Sequence, residues 1–363
     1  MRSDRRRWLI AAGAGVGASA LALGIGAETR AQGRTGAPTT IRDDLAREVS
    51  LSLPLRRVVV FNRYTTEFIR GIGAMPAVVG VDIDAARHRA YWPTVTKAML
   101  AGSGQGSPNF EAIVALRPDA VFMPRNSDWT KAAKLLAGFG IPVVVLTAWD
   151  VLEHERNVEL LGRLFDRPRQ AAALNAFHRH WHGLLRMRLY NADRKRVYFE
   201  EVADHKTVLE GSGWHDMIEA GGGLNVFGDV KILDQPSARG SVQSFDVDPE
   251  EIIARRPDVI VKLQPGQYEP HAREFSKAVL ERVARRPGFA GLPAVRAGQV
   301  HHLSYYLAGG CSKITGAVQI AKWLHPERFA DVNPDAVMGT WLREFQGVAP
   351  QTGYSLSLAE LRQ

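Results

Sequence analysis

The sequence predicts an α/β protein built as two doubly wound lobes joined by a long α-helical connector. Three observations predict it. Short β-branched runs bounded by Gly and Pro alternate with helical segments in both halves of the 363-residue chain, as parallel strands buried on both faces require. A stretch from about Val151 to Tyr190 separates the halves with no strand-like run, and it is too long for a loop. A short unit recurs once in fixed register: Glu111-Ala-Ile113 with Pro118-Asp119-Ala-Val121 returns as Glu250-Glu-Ile252 with Pro257-Asp258-Val-Ile260. The steps from 111 to 250 and from 118 to 257 are both 139 residues.

The first 31 residues stand apart from this pattern. Asp4-Arg5-Arg6-Arg7-Trp8-Leu9 resembles a twin-arginine export motif, and a weakly apolar Gly/Ala-rich run follows to Ala27. Its length is that of a marginal membrane span. Its low hydrophobicity, and the small residues around Thr29-Arg30-Ala31, favour a cleaved signal. The expected organisation is a signal over 1–31, an N-terminal lobe over 32–149, a connector over 150–192, a C-terminal lobe over 193–345 and a polar surface-wrapping tail over 346–363.

In the first lobe the strand candidates are Arg57–Phe61, Ala77–Val81, Ala120–Met123 and Val143–Leu146, with a helix over Thr66–Ile72. The connector repeats Leu, Val, Phe and Trp at helical spacing and is interrupted at Pro168, where one helix can end and another begin. In the second lobe strands are expected at Val197–Glu200, Val208–Glu210, Val259–Leu263 and Gln299–Leu303. Helices are expected over Trp214–Ala220, Pro249–Arg255, Glu274–Arg285 and Thr315–Trp323. In each copy of the repeat a short helix feeds through Arg-Pro-Asp into a buried strand, the proline ending the helix.

Composition narrows the function. Hydrophobic residues at 45% and charged residues at 23% are ordinary for a globular chain. The net charge is +8, of which Arg2, Arg5, Arg6, Arg7 and Arg30 against Asp4 and Glu28 supply +3. The remainder is small and dispersed, so nucleic acid is not an expected partner. The single cysteine, Cys311, allows no intrachain disulfide and reads as buried or incidental. No cysteine ends the apolar run, which argues against a lipid anchor; the mature chain is expected free in a periplasm, as a monomer.

The stretches Ser107-Pro-Asn-Phe-Glu111-Ala-Ile-Val-Ala-Leu-Arg-Pro118-Asp119 and Val247-Asp-Pro-Glu250-Glu-Ile-Ile-Ala-Arg-Arg-Pro257-Asp258 carry a family resemblance. Trp214-His-Asp-Met-Ile-Glu-Ala-Gly-Gly-Gly-Leu-Asn225-Val-Phe adds a helix ending in glycines before an Asn. With these features the chain resembles the iron-siderophore and cobalamin class of periplasmic binding proteins, over nearly all of its mature length. The resemblance implies two lobes on one long helix, a ligand cleft between them and delivery to an ABC permease. It also implies that a glutamate on each lobe docks to the permease; the matching positions are Glu111 and Glu250. An acid on each lobe lets a partner grip both and sense their separation.

In doubly wound lobes ligands sit beyond the carboxyl ends of the strands. The loops there carry Arg63, Tyr64, Arg87, His88, Tyr91, Trp92, Arg125, Trp129, His205, Trp214, His215, Tyr305 and Tyr306. Aromatic walls with cationic donors suit a flat or anionic chelate. A ferric siderophore is the expected ligand, with cobalamin, haem and a metal oxyanion as alternatives on the same scaffold. Direct metal ligation is not expected: His178, His180 and His182 alternate by two on a helix and read as a solvated face, and His301 and His302 point apart on a strand. No cofactor is expected, since nucleotide, phosphate-loop and nucleophile-elbow motifs are missing. Gly102-Ser-Gly-Gln-Gly106 reads as an ordinary loop. The rival classes are an envelope enzyme and a sensor that binds the same ligand without a permease.

Overall fold

The computed structural model describes residues 38–361 apart from 105, 211, 231–243, 266–267 and 311. The expected export signal and Cys311 lie outside the described residues.

The described chain opens with a hairpin that the sequence reading did not include, β1 (Pro38–Arg42) paired antiparallel with β2 (Glu48–Ser52). Its turn is fixed by buried Asp43, whose carboxylate accepts from the backbone N–H of Leu45, Arg47 and Val145 at 3.0–3.1 Å. The first lobe runs β3 (Val58–Val60), α1 (Arg63–Gly71), β4 (Val78–Asp82), α2 (Ile83–Arg87), β5 (Leu100–Gly102), α3 (Phe110–Leu116), β6 (Ala120–Met123), α4 (Trp129–Ala137) and β7 (Val143–Val145). Its five strands are all parallel in the order β5-β4-β3-β6-β7. The order reverses between β3 and β6, which makes that pair the switch point of the sheet.

The connector is two helices, α5 (His154–Leu164) and α6 (Pro168–Arg188). Pro168 opens the 21-residue α6, where its missing N–H costs nothing. The expected solvated histidine face is corrected here. His178 is fully buried, its ring 5.1 Å from that of His154 and 5.8 Å from Phe68, while His180 is exposed. Residues 178 and 182 stand four apart and therefore share a helix face; alternation by two hid that pair.

The second lobe runs β8 (Lys195–Glu200), β9 (Lys206–Val208), α7 (Gly213–Ala220), β10 (Gly223–Asn225), β11 (Ser244–Asp246), α8 (Pro249–Ala254), β12 (Val259–Gln264), α9 (Arg273–Ala284), α10 (Pro293–Arg296), β13 (Val300–Ser304), α11 (Tyr305–Gly309), α12 (Lys313–Leu324), α13 (Pro334–Thr340) and β14 (Ser355–Ser357). Its sheet has the order β11-β9-β8-β12-β13-β14, with β10 also pairing β8. Strands β10, β12 and β13 run parallel to one another through β8, while β9 and β14 lie antiparallel to their neighbours. The strand expected at Val208–Glu210 lies two residues earlier. The tail after residue 346 does more than wrap the surface: β14 extends the sheet, and Tyr354, Leu356 and Leu358 are buried.

The repeat survives in three dimensions. Val58, Val59 and Val60 of β3 pair with Ala120, Val121 and Phe122, and 139 residues later Val197, Tyr198 and Phe199 of β8 pair with Val259, Ile260 and Val261. Asn109 and Asp248 cap the N-termini of α3 and α8. Arg117 and Arg256 both adopt left-handed backbone after those helices, at φ 47° and 43°. Arg57 reaches the carbonyl of Leu116 at 2.7 Å, as Arg196 reaches that of Arg255 at 2.5 Å. Asp119 and Asp258 accept from the backbone N–H of Arg57 and Arg196.

Candidate ligand-binding site

A cavity of about 510 Å³ lies at the carboxyl ends of the strands, lined from both lobes. The first lobe supplies Asn62, Arg63 and Tyr64 after β3, Asp82 and Asp84 after β4, Ser103 and Gly104 after β5, and Asn126 after β6. The second supplies Val202 after β8, Trp214 on α7, Pro265 after β12, and Tyr305, Gly309 and Lys313 after β13; Trp149 precedes the connector. Both switch points, β3/β6 and β8/β12, thus open into one space, as the open-sheet rule demands.

Local capping places these side chains. Asn62 caps α1 by accepting from the Tyr64 N–H at 3.0 Å, and its amide donates to the Thr147 carbonyl at 2.5 Å, tying α1 to the end of β7. Asp82 caps α2 through the N–H groups of Asp84 and Ala85. Burial and then the neighbouring Asp84 push the Asp82 carboxyl up to about 6. Ser212 caps α7 and directs Trp214 inward.

Arg63 and Lys313 are the two basic side chains among the described residues that line the cavity. Arg63 is held in its charged form. Burial opposes its charge, but Tyr64, Tyr268 and Tyr305 outweigh that and hold it above its ordinary value. It donates to the Tyr64 hydroxyl at 3.0 Å and lies 5.5 Å from the Tyr305 ring. Among the described residues no carboxylate comes within ion-pair distance of it. Lys313 is buried, donates to the Trp149 carbonyl and lies 5.9 Å from the Trp214 ring. Tyr64 presses against the opposite lobe at Gly310, where a Cβ would lie 2.0 Å from the Tyr64 ring. Only glycine admits that approach.

Four of the thirteen expected residues line the cavity: Arg63, Tyr64, Trp214 and Tyr305. Tyr91, Trp92 and Tyr306 are buried behind it in an interlobe cluster. Tyr91 stacks on Tyr268 at 3.7 Å, its hydroxyl meets that of Tyr306, and the Trp92 indole donates to the Tyr268 hydroxyl at 3.0 Å. His88 stands edge-on to the same Tyr268 ring. Arg125 is paired with buried Asp150, Trp129 carries the Arg47 guanidinium at 4.2 Å, and Arg87 is exposed beside Asp84. His205 lies in the turn after β8, where its N–H donates to Glu200. His215 faces Asn225 and Arg255 in a separate cavity of about 470 Å³ on the second lobe. His301 packs on Trp323 and His302 on His271, pointing apart as adjacent strand residues do. Among the described residues no three His, Cys, Asp or Glu side chains form a metal-ligand group, and no helix is long and apolar enough to cross a membrane.

Sequence reasoning missed Trp149, at the end of the expected N-terminal lobe, Lys313, two residues after Cys311, and Ser103 with Gly104, in the stretch read as an ordinary loop. The glycines of 102–106 were the available signal, since a glycine-rich loop after a buried strand permits close approach of a ligand.

The family model described as periplasmic binding protein matches residues 58–306. The chain belongs to the periplasmic binding protein family. A vitamin B12-binding protein of Vibrio campbellii is 24% identical over 57% of this chain and 70% of its own length. A cobalamin-binding protein of Halobacterium salinarum is 28% identical over 62% of this chain and 58% of its own, so the likeness spans little more than half of that relative. The molybdate-binding protein MolA of Haemophilus influenzae is 23% identical over 85% and 91%. Among solved structures, MolA bound to molybdate superposes with a TM-score of 0.68 at 21% identity, covering 86% of this chain and 99% of that one. The TroA-like periplasmic binding protein FepB from Veillonella parvula reaches 0.71 at 21%, covering 88% and 99%. At such identities these structures show the fold, two lobes on a helical connector.

Proposed function

We propose that this family member is the solute-binding component of an ABC importer, which captures an organic metal chelate, a ferric siderophore foremost, and hands it to a membrane permease. The observation that carries the reading is Arg63, a fixed guanidinium with no carboxylate within ion-pair distance among the described residues, set in an aromatic-walled cavity of about 510 Å³. Glu67 and Asp82 act on it only from beyond ion-pair distance; a desolvated cation gains most from a close counter-charge, which an anionic ligand supplies. The volume lies in the usual range for organic ligands, roughly 300–1,000 Å³. A five-atom oxyanion leaves most of it to water. Tyr64, Trp149, Trp214 and Tyr305 offer faces for stacking, and Lys313 a second cation.

Glu111 and Glu250 support delivery. Each is exposed in the first turn of a repeat helix, on the strand-end side of its lobe, and neither has an ion-pair partner among the described residues. The arginine-rich leader and the family together support a periplasmic location. The second reading is a bare oxyanion, favoured by the extent of the likeness to MolA, which covers 85% of this chain.

Native mass spectrometry with metal analysis, on protein purified from its own periplasm, tests the proposal. An organic iron complex that is lost in Arg63→Ala is the expected result. Recovery of a bare oxyanion, or of cobalamin, overturns the siderophore assignment.

A further inference from the structure

Lys262 lies on β12 with its side chain fully buried, one residue beyond the last pair that the two lobes share. Its ammonium faces five oxygens: Glu200 Oε1 at 2.7 Å, the backbone carbonyls of Glu201, Val202 and Ala203 at 2.8, 3.0 and 3.2 Å, and Asp204 Oδ1 at 3.1 Å. An ammonium has three N–H donors, so five converging oxygens exceed what it can bond singly. Three successive carbonyls and two carboxylates around one point is the arrangement of a hard-cation loop, widened to ammonium distances. The same turn closes β8 onto β9, and Val202 at its centre lines the cleft.

The repeat shows that the fold does not need this ion pair. Shifted by 139 residues, Glu200 and Lys262 correspond to Phe61 and Met123, both fully buried in the apolar core of the first lobe. The strands pair in the same register with either set. The Glu200 carboxylate also has a bidentate partner of its own in Arg286, at 2.7 and 2.8 Å. What the first lobe lacks is the turn: there Asn62 passes directly into α1, whereas in the second lobe residues 201–205 intervene before β9.

We propose that Lys262 is a positioning residue of the cleft: its ammonium stands in for a bound cation and gathers the Glu201–Asp204 carbonyls and carboxylate, so that Val202 is held on the ligand-facing rim. The inference concerns the wall of the cleft and stands whatever ligand fills it.

The test uses the whole chain without ligand. Lys262→Ala opens space inside the oxygen cage, and Lys262→Met places there the residue that the first lobe carries. Hydrogen–deuterium exchange over 201–206 is expected to rise at least tenfold in both variants while the first-lobe strands stay protected. Millimolar CaCl2 or KCl, added to the alanine variant, restores protection at 201–206 and raises its melting temperature. The methionine variant and the wild type do not respond. A merely structural lysine predicts loss of protection throughout the lobe with no cation response. That result, or unchanged exchange at 201–206 in both variants, overturns the proposal. Should Lys262→Ala not fold, Asp204→Asn in the wild-type background removes one cage ligand, and unchanged exchange at 201–206 there overturns it equally.

Discussion

The two lobes share a frame and differ in what they build on it. Strands β3 and β6 match β8 and β12 pair for pair, and in each Arg-Pro-Asp connection the Asp accepts from the backbone N–H of the matching arginine, Arg57 or Arg196. The connections sit at the amino ends of the strands, away from the cavity. At the carboxyl ends the lobes part. The first offers short polar groups, namely Asn62, Asp82, Asp84, Ser103 and Asn126, along with Arg63 and Tyr64; the second offers Val202, Trp214, Pro265, Tyr305 and Lys313. A duplicated frame thus yields a cleft with a polar wall facing an aromatic one, which suits a ligand with an ionised edge and a flat body.

The largest expected break in the symmetry is electrostatic. Glu200→Gln leaves Lys262 and Arg286 buried against a neutral amide, with the half-exposed Asp204 as their remaining carboxylate. Removing one partner of a buried ionic network costs about 3–5 kcal/mol. At the matching apolar site of the first lobe, Met123→Leu conserves volume and costs less than about 1.5 kcal/mol. Urea denaturation of both variants measures the difference, and equal losses would show that the ionic lobe is no more sensitive than the apolar one.

The pH dependence sets the interlobe contact against the second lobe. Glu67 on α1 is buried and accepts from the Tyr91 hydroxyl at 2.9 Å within the cluster that joins the lobes. Burial lifts its carboxyl from 4.5 to about 7, against the pull of Arg70. The folded state then holds this proton more tightly than the unfolded one, so stability falls as pH rises from about 4.5 to about 7. The full difference is about 3 kcal/mol. His301 and His302 act in the other direction, since burial lowers each to about 3. Their neutral forms stabilise the lobe above about 6.5, and that contribution is lost as pH falls toward 3. Glu67→Gln should therefore raise stability above pH 7 and leave the acid limb in place, as thermal melts across pH 4–9 will register. An unchanged slope between pH 5 and 7 would remove Glu67 from the account.

Much of this was legible in the sequence because it rests on periodicity and on the repeat. The buried strands Ala120–Met123 and Val259–Gln264, the helix break at Pro168, and the two-lobe plan all follow from local patterns. The cleft was legible only at strand ends, as Arg63, Tyr64, Trp214 and Tyr305 show. Tyr91 and Tyr306 carry the same residue chemistry yet turn into the lobe interface, a choice made by packing that no one-dimensional pattern encodes. Lys313 was hidden for the opposite reason: its burial depends on the Trp149 carbonyl, 164 residues away in sequence. The hairpin β1–β2 and edge strand β14 escaped because short edge strands have no continuous apolar run.

The smallest expected effect lies in the shared frame itself, where the two copies are close but unequal. Asp119 accepts from two backbone N–H groups, those of Arg56 at 2.7 Å and Arg57 at 2.8 Å, whereas Asp258 accepts from that of Arg196 alone, at 3.0 Å. A hydrogen bond to a charged group contributes about 1.5–3 kcal/mol when well made, and less where solvent competes, as it does at these exposed pairs. Asp119→Ala should thus cost about 2 kcal/mol and Asp258→Ala about 1 kcal/mol, read as shifts of the urea midpoint at constant slope. In both variants the residue before β6 or β12 loses its tie to the backbone at the start of the neighbouring β3 or β8, at the same place in the repeat, so fold and cleft remain. If Asp258→Ala proves the more damaging, the second copy depends on its Asp through something other than this hydrogen bond, and the equivalence of the two connections fails at that point.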